Sequence, residues 1–259
     1  MSDASSLTLS PLLQRKVGAV SSFHLHDLLQ DLFLVLTEKE SSVIKKRFAL
    51  MGQPKQTLEK IGRGFRVTRE RIRQIESIAI GKLRRTVRTT RLNAVNELAK
   101  ELLRTHGGFM REDALISQVL MFARSGTELD GAILRLAFSI DSDLARGGRS
   151  GTFVPFWRLS PLVMDDISLV ADALVKVLRK RKSCMQGEEL VAAVQSLQLF
   201  RDRVPSRELI QSCLTVDERL REVEDGWGLT EWRFVRPRSI RDKVEIVLKK
   251  VGQPLHFMD

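Results

Sequence analysis

Apolar residues recur at helical spacing through most of this chain, and the breaks between the runs divide it into short helices. From Leu12 to about Leu36 the pattern is helical, most clearly in "LLQDLFLVL". Thr37, with Glu40 three residues on, matches a capping box, so a helix is predicted to start at Glu38. Its apolar set is Val43, Ile44, Phe48 and Leu50, and Gly52 and Pro54 in "MGQPK" end it. Thr57 can cap a short helix with Glu59 near the positive end of its dipole, and Gly62 and Gly64 then interrupt the pattern. Thr68 can cap a second helix, on which Ile72, Ile75, Ala79 and Leu83 step by three or four and form a buried stripe. Arg69, Glu70, Arg73 and Gln74 are left outside. A short helix, a tight turn and a second helix with a polar outer face form a helix-turn-helix.

Beyond residue 92 the pattern repeats. "LNAVNELAKELLRTHGGFMREDALISQV" is a helix, a break at Gly107-Gly108 and another helix; "LDGAILRLAFSID" is a third, and "ARGGRSGTFVPFWRLS" reads as a β-hairpin. A second copy runs from "DISLVADALVKVL" to "GWGLTEWRFV", which places Trp157 and Trp227 at the same point of each unit. Three helices followed by a hairpin is the winged-helix order. The expected fold class is therefore mainly α: a helix-turn-helix domain followed by tandem winged-helix domains, three-helix units with small β-hairpin wings. The expected boundaries are 1–30 for an N-terminal lead, partly disordered or helical, 31–91 for the helix-turn-helix domain, and 92–162 and 163–237 for the winged-helix units. Residues 238–259 would open a third, truncated unit, which points to a fragment of a longer protein.

Charge changes the picture. Of the formal net +11 in 259 residues, +9 lies in residues 55–91, which hold twelve Lys/Arg against three Glu. A basic stripe confined to one module is an electrostatic footprint for a phosphate backbone. The near-neutral remainder leaves the winged units open to DNA or to other proteins. Two local features bear on that choice. "RKRK" at Arg179–Lys182 is a basic patch or a helix end meeting its dipole, and "ARGGRSG" is a wing tip for a minor groove or a plain hairpin turn.

Other chemistries find no support. Cys184 and Cys213 are far apart, so two buried thiols are expected, with no disulfide and no metal site. His24 and His26 face different ways on a helix, His106 and His256 are isolated, and Asp165 and Asp166 read as helix-start acids. Gly62 and Gly64 lack the Gly-Lys-Ser/Thr of a phosphate loop. No catalytic residue, metal or cofactor is expected. Without a signal pattern or an apolar run of about 18 residues, a soluble cytoplasmic, nucleoid-associated protein with no membrane partner is expected.

Arginine offers two parallel donors to guanine O6 and N7, glutamate can accept from cytosine and glutamine can pair with adenine. Arg69, Glu70, Arg73 and Gln74 supply that mixture where a recognition helix enters the major groove. Lys55, Lys60, Arg63, Arg66, Thr68 and Arg71 are placed for phosphate contacts, which position without specifying.

"LTEKESSVIKKRFAL" followed by "TLEKIGRGFRVTRERIRQIESIAIGKLRR", about residues 36–86, closely resembles region 4 of bacterial primary sigma factors. The resemblance implies a double-stranded, promoter-like DNA partner read at the −35 element by Arg69, Glu70, Arg73 and Gln74. It also implies docking on the RNA polymerase β flap through Leu36, Val43, Ile44, Phe48 and the linker after them. Where the family usually has glycine this chain has Arg66, with Gly64 two residues earlier, so either the turn bends differently or Arg66 accepts strain. Nothing before residue 36 resembles the parts that melt a promoter, so a complete initiating sigma factor is not expected. The winged units, especially "KVEIVLKKVGQPLHFMD", are loosely similar to the HARE-HTH family, which includes the RNA polymerase delta subunit. The expected function is sequence-specific DNA binding in transcription. The alternative is the accessory region of a larger restriction, repair or defence enzyme whose catalytic part lies beyond Asp259.

Overall fold

The computed structural model describes residues 17–248 apart from 19, 21–24, 51, 53, 125–126, 149–150, 243 and 245–247. Most of the N-terminal lead, His24, His256 and most of the expected third winged unit lie outside the described residues. The chain is mainly helical with small sheets.

Four helices carry the first part: α1 (Leu25–Phe33), α2 (Glu38–Phe48), α3 (Leu58–Phe65) and α4 (Arg69–Thr86). Their starts follow from local chemistry. Thr37 Oγ1 accepts from the Glu40 backbone N–H while the Glu40 carboxylate accepts from the Thr37 N–H, the two halves of a capping box. Thr57 and Thr68 accept in the same way from the backbone N–H groups of Lys60 and Arg71. The glycines act differently from the sequence expectation, since Gly62 and Gly64 lie inside α3 and do not break it. The break comes at Arg66, whose φ of 55° and ψ of 41° put it in the left-handed region.

The first winged unit follows as α5 (Leu92–Thr105), β1 (Phe109–Arg111), α6 (Glu112–Phe122), α7 (Glu128–Ile140), β2 (Leu144–Gly147) and β3 (Phe156–Leu159), with the sheet ordered β1-β3-β2. The second has α8 (Met164–Arg181), α9 (Gly187–Gln195), α10 (Arg207–Val216) and the antiparallel hairpin β4 (Leu220–Val223) and β5 (Gly226–Leu229), in register from Leu220 opposite Leu229 to Val223 opposite Gly226.

The repeat extends to hydrogen bonds. Asp141 Oδ1 accepts from the Asp143 N–H at 2.8 Å, and Asp217 Oδ1 accepts from the Arg219 N–H at 2.9 Å. Ser160 N–H then donates to Asp143 O, and Thr230 N–H to Arg219 O, both at 2.8 Å. Trp157 and Trp227 each hold the second position of the strand just before.

The described residues form two compact units. One takes the residues up to Thr105 together with Glu112–Arg146 and Trp157–Pro161; the other takes His106–Arg111, Gly147–Phe156 and the residues from Leu162 onward. In the first, α7 packs against α1, α2, α4, α5 and α6. It is buried on almost every side and exposes only Glu128 and Arg135. Each fully buried Leu, Ile or Phe on it, such as Leu134 and Phe138, contributes about 1.5–3 kcal/mol relative to exposure. Lys100, also buried, meets Asp141 at 3.3 Å and Asp143 at 3.2 Å. Burial works to lower its pKa, but those acids and Glu97 outweigh it and raise the value.

The second unit closes over Phe109, Phe153, Phe156, Leu174, Leu190, Ile210 and Cys213. Val154 N–H donates to Val216 O at 2.9 Å and Glu218 N–H to Thr152 O at 3.0 Å, with Phe153 buried between them. The part of the glycine-rich hairpin after Gly151 is thus pinned into a core. Cys184 is half-buried and Cys213 buried, both as free thiols, and burial first, then a nearby Asp, pushes each thiol up. Among the described residues no group of three His, Cys, Asp or Glu could hold a metal ion, and no helix is long and apolar enough to cross a membrane.

Candidate nucleic-acid interface

The interface is built from the turn outward. Val43, Ile61, Ile72 and Ile75 form a buried cluster with Leu58, Phe65 and Val67 against it, which locks α3 and α4 onto α2. The turn is tight: Val67 N–H donates to Gly62 O at 3.0 Å and Arg66 N–H to Arg63 O at 3.2 Å. A Cβ on Gly62 would lie 2.7 Å from Val67 O, so glycine is needed there for the close approach of two backbones. Gly64 has open space around it. Of the two readings of the turn that the sequence left open, Arg66 in the left-handed region is the one observed.

Ile72, Ile75, Ala79 and Leu83 are buried along α4, and the residues between them turn outward. Arg69, Glu70, Arg73 and Gln74 are all exposed on the N-terminal turns, as are Lys55, Lys60, Arg63, Arg66, Thr68 and Arg71 around them. The outer face is internally paired. Arg73 donates to Glu70 through Nη2 at 2.7 Å and through Nε at 2.8 Å, and Arg71 donates to Gln74 Oε1 at 3.1 Å. The hydrogen bond from Arg73 holds the Glu70 carboxyl below the usual carboxylate range, with the charges of Arg73 and Arg69 adding to it. Arg63 is paired with Glu59. These exposed pairs cost little to exchange, so the same side chains can turn to a duplex.

Two contacts that hold α4 in place were not singled out in the sequence. Arg47 donates to Glu76 at 3.0 Å and to Gln56 O at 2.9 Å, tying α2, the linker and α4 together. Lys82 donates to Glu40 at 2.8 Å, and this bond lowers the Glu40 pKa despite burial acting the other way. The partners are 29 and 42 residues apart, so no local pattern marks them.

The proposed flap residues fare differently. Val43 and Ile44 are fully buried, Val43 in the helix-turn-helix core, and α7 lies on α2, while Leu36 and Phe48 are half-buried. Val43 and Ile44 therefore present no surface to a partner in this conformation, contrary to the sequence expectation.

A family model described as "Sigma-70, region 4" matches residues 32–85. RNA polymerase sigma factor RpoD of Neisseria gonorrhoeae is 44% identical over 70 residues, 27% of this chain and 11% of that protein. RNA polymerase sigma factor SigA of Bacillus sp is 48% identical over 68 residues, 26% of this chain and 18% of that protein. The chain thus spans less than a fifth of the length of these relatives, and the family match stops before the winged units. Carried on a capped helix-turn-helix with its polar face outward, residues 32–85 are a sigma-70 region 4 domain, a DNA-binding module of transcription.

Proposed function

We propose that this protein is a non-enzymatic, sequence-specific DNA-binding protein of bacterial transcription that reads −35-like promoter DNA through α4 and works in the cytoplasm on the nucleoid. The observation that carries the reading is the exposed run Arg69, Glu70, Arg73 and Gln74 on the first turns of α4, ringed by exposed cations. Arg69 and Arg73 face guanines, Glu70 and Gln74 the neighbouring bases, and Lys55, Lys60, Arg63, Arg66, Thr68 and Arg71 hold phosphates. The same module docks on the polymerase β flap through Leu36 and Phe48, the two of the four flap residues that keep exposed surface. The winged units support the reader and meet other proteins rather than read duplex DNA. The exposed residues of α7 are a single acid and a single arginine, and the second wing ends in exposed Glu222, Glu224 and Asp225, which repel phosphate.

The test is a salt titration of the full chain on a −35-like duplex and a scrambled one, beside pull-down with an isolated β flap. Preference for the −35-like duplex with a steep salt slope supports promoter reading. Equal affinity for both duplexes would overturn it. A sigma-like match covering about a quarter of the chain also suits the targeting region of a larger DNA-processing enzyme; a nuclease, helicase or methyltransferase signature in the complete gene would favour that reading.

A further inference from the structure

The second compact unit carries a cationic surface with an aromatic centre that the region 4 domain does not explain. α8 ends in four consecutive cations, Arg179 to Lys182, all exposed. Positive charge at a helix C-terminus is favourable in itself and implies no ligand. The segment after β5, however, brings up a second set that no helix dipole calls for: exposed Arg233 and Arg236, alternating with Trp232 and Phe234. Residues 176–182 and 231–238 together hold eight Lys/Arg against one Glu.

Packing joins the two stretches. Arg179 donates to Glu231 through Nε at 3.2 Å and Nη2 at 3.3 Å, which uses up the one acid. Beneath the surface, Gly228 lies so close to its neighbours that a Cβ there would be 2.6 Å from Val235, 2.8 Å from Cys184 Sγ and 3.4 Å from Trp232. Buried Val235 anchors the segment, and its turns close through Trp232 N–H to Leu229 O at 2.9 Å and Arg236 N–H to Trp232 O at 3.0 Å. Asp242 lies close enough to Arg233 to feel its charge, but accepts from the backbone N–H groups of Arg238 and Ser239.

At the centre, Trp232 and Phe234 stack at 5.2 Å between centroids and 25° between planes, and Phe234 is 49% exposed. An exposed ring among cations suits a partner that offers π faces and phosphates together. Bases in a duplex are stacked on one another and present no free face; a single strand presents one at every nucleotide. An acidic peptide would use the charges but leave the ring idle. We propose that this surface binds single-stranded nucleic acid, with a base stacked on Phe234 and the phosphates along Arg233, Arg236 and the Arg179–Lys182 run.

The test uses the full chain and a fluorescent oligothymidine of about 15 nucleotides, within the span of known single-strand sites, followed by anisotropy with a −35-like duplex in parallel. The expected result is salt-sensitive single-strand binding that weakens about tenfold in Phe234→Ala. Phe234→Trp should restore it, and the affinity for the duplex should not change. A paired variant, Arg233→Gln with Arg236→Gln, should lower single-strand affinity and flatten its salt dependence. No single-strand binding, an unchanged affinity in Phe234→Ala, or equal loss on the duplex would overturn the proposal. Displacement by polyglutamate at matched charge would instead assign the surface to an acidic protein.

Discussion

Arg73 grips Glu70 with two donors one turn apart on the outer face of α4, at 2.7 and 2.8 Å. The pair is more than half exposed, so its own contribution to stability is small. Under the proposed reading it keeps an acceptor and a donor side by side for the base edges. Arg73→Ala should therefore leave the melting temperature nearly unchanged, yet weaken binding to the preferred duplex by about 1–3 kcal/mol and relax preference at one position. Binding curves on a panel of single-base variants check this; a uniform loss on every duplex would show that Arg73 contacts phosphate alone.

Arg66 separates stability from binding. A left-handed φ costs a side-chain-bearing residue about 1–2 kcal/mol, and glycine returns part of that as lost chain entropy. Arg66→Gly should raise stability by about 0.5–1 kcal/mol in urea denaturation. On the proposed reading the same change also removes one phosphate contact, so the slope of log K against log salt should become shallower by about 0.9.

The two glycines of α3 should respond in opposite directions. Gly62→Ala forces a Cβ to 2.7 Å from a backbone oxygen and should cost about 1–3 kcal/mol. Gly64→Ala meets nothing within 4 Å and should stabilise by about 0.5–1 kcal/mol through helix propensity. Thermal melts of the two variants provide the comparison.

Glu40 gives this region an acid limit. Its carboxyl is held below the ordinary value of 4.5, chiefly by Lys82. A depressed folded-state value means that the stabilisation is complete above the unfolded value and fades as pH falls through the folded one. Wild-type stability should thus decline below about pH 4.5. Glu40→Gln should be less stable at neutral pH by about 1.5–3 kcal/mol and show a flatter acid profile. Denaturation midpoints between pH 3 and 7, taken at roughly half-unit steps, measure the difference.

What was legible in the sequence was what local chemistry decides. Thr37, Thr57 and Thr68 announced three helix starts because an N-cap is a matter of one hydroxyl and the next three residues. The alternation of Ile72, Ile75, Ala79 and Leu83 with Arg69, Glu70, Arg73 and Gln74 was equally local, and it set which side of α4 faces out. The glycines misled, because whether Gly62 breaks a helix or admits a neighbour depends on Val67, which arrives only when the turn closes. Val43 and Ile44 were assigned to a partner for a related reason: nothing near them in sequence discloses that α7, some ninety residues later, lies on α2. The cation and aromatic surface was hidden as well, since Arg179 and Glu231 are 52 residues apart.

The burial of α7 has a consequence for how such a protein can be assembled from parts. The segment that matches sigma factors ends at Arg85, but the compact unit that contains it does not. Cut from its gene after residue 91, the region 4 segment would carry α1, α2 and α4 with their apolar flanks uncovered, and such a surface invites aggregation. The piece that is shared by ancestry and the piece that folds have different borders. Any transplant of this region 4 domain into another protein has to carry α5 to α7 along with it.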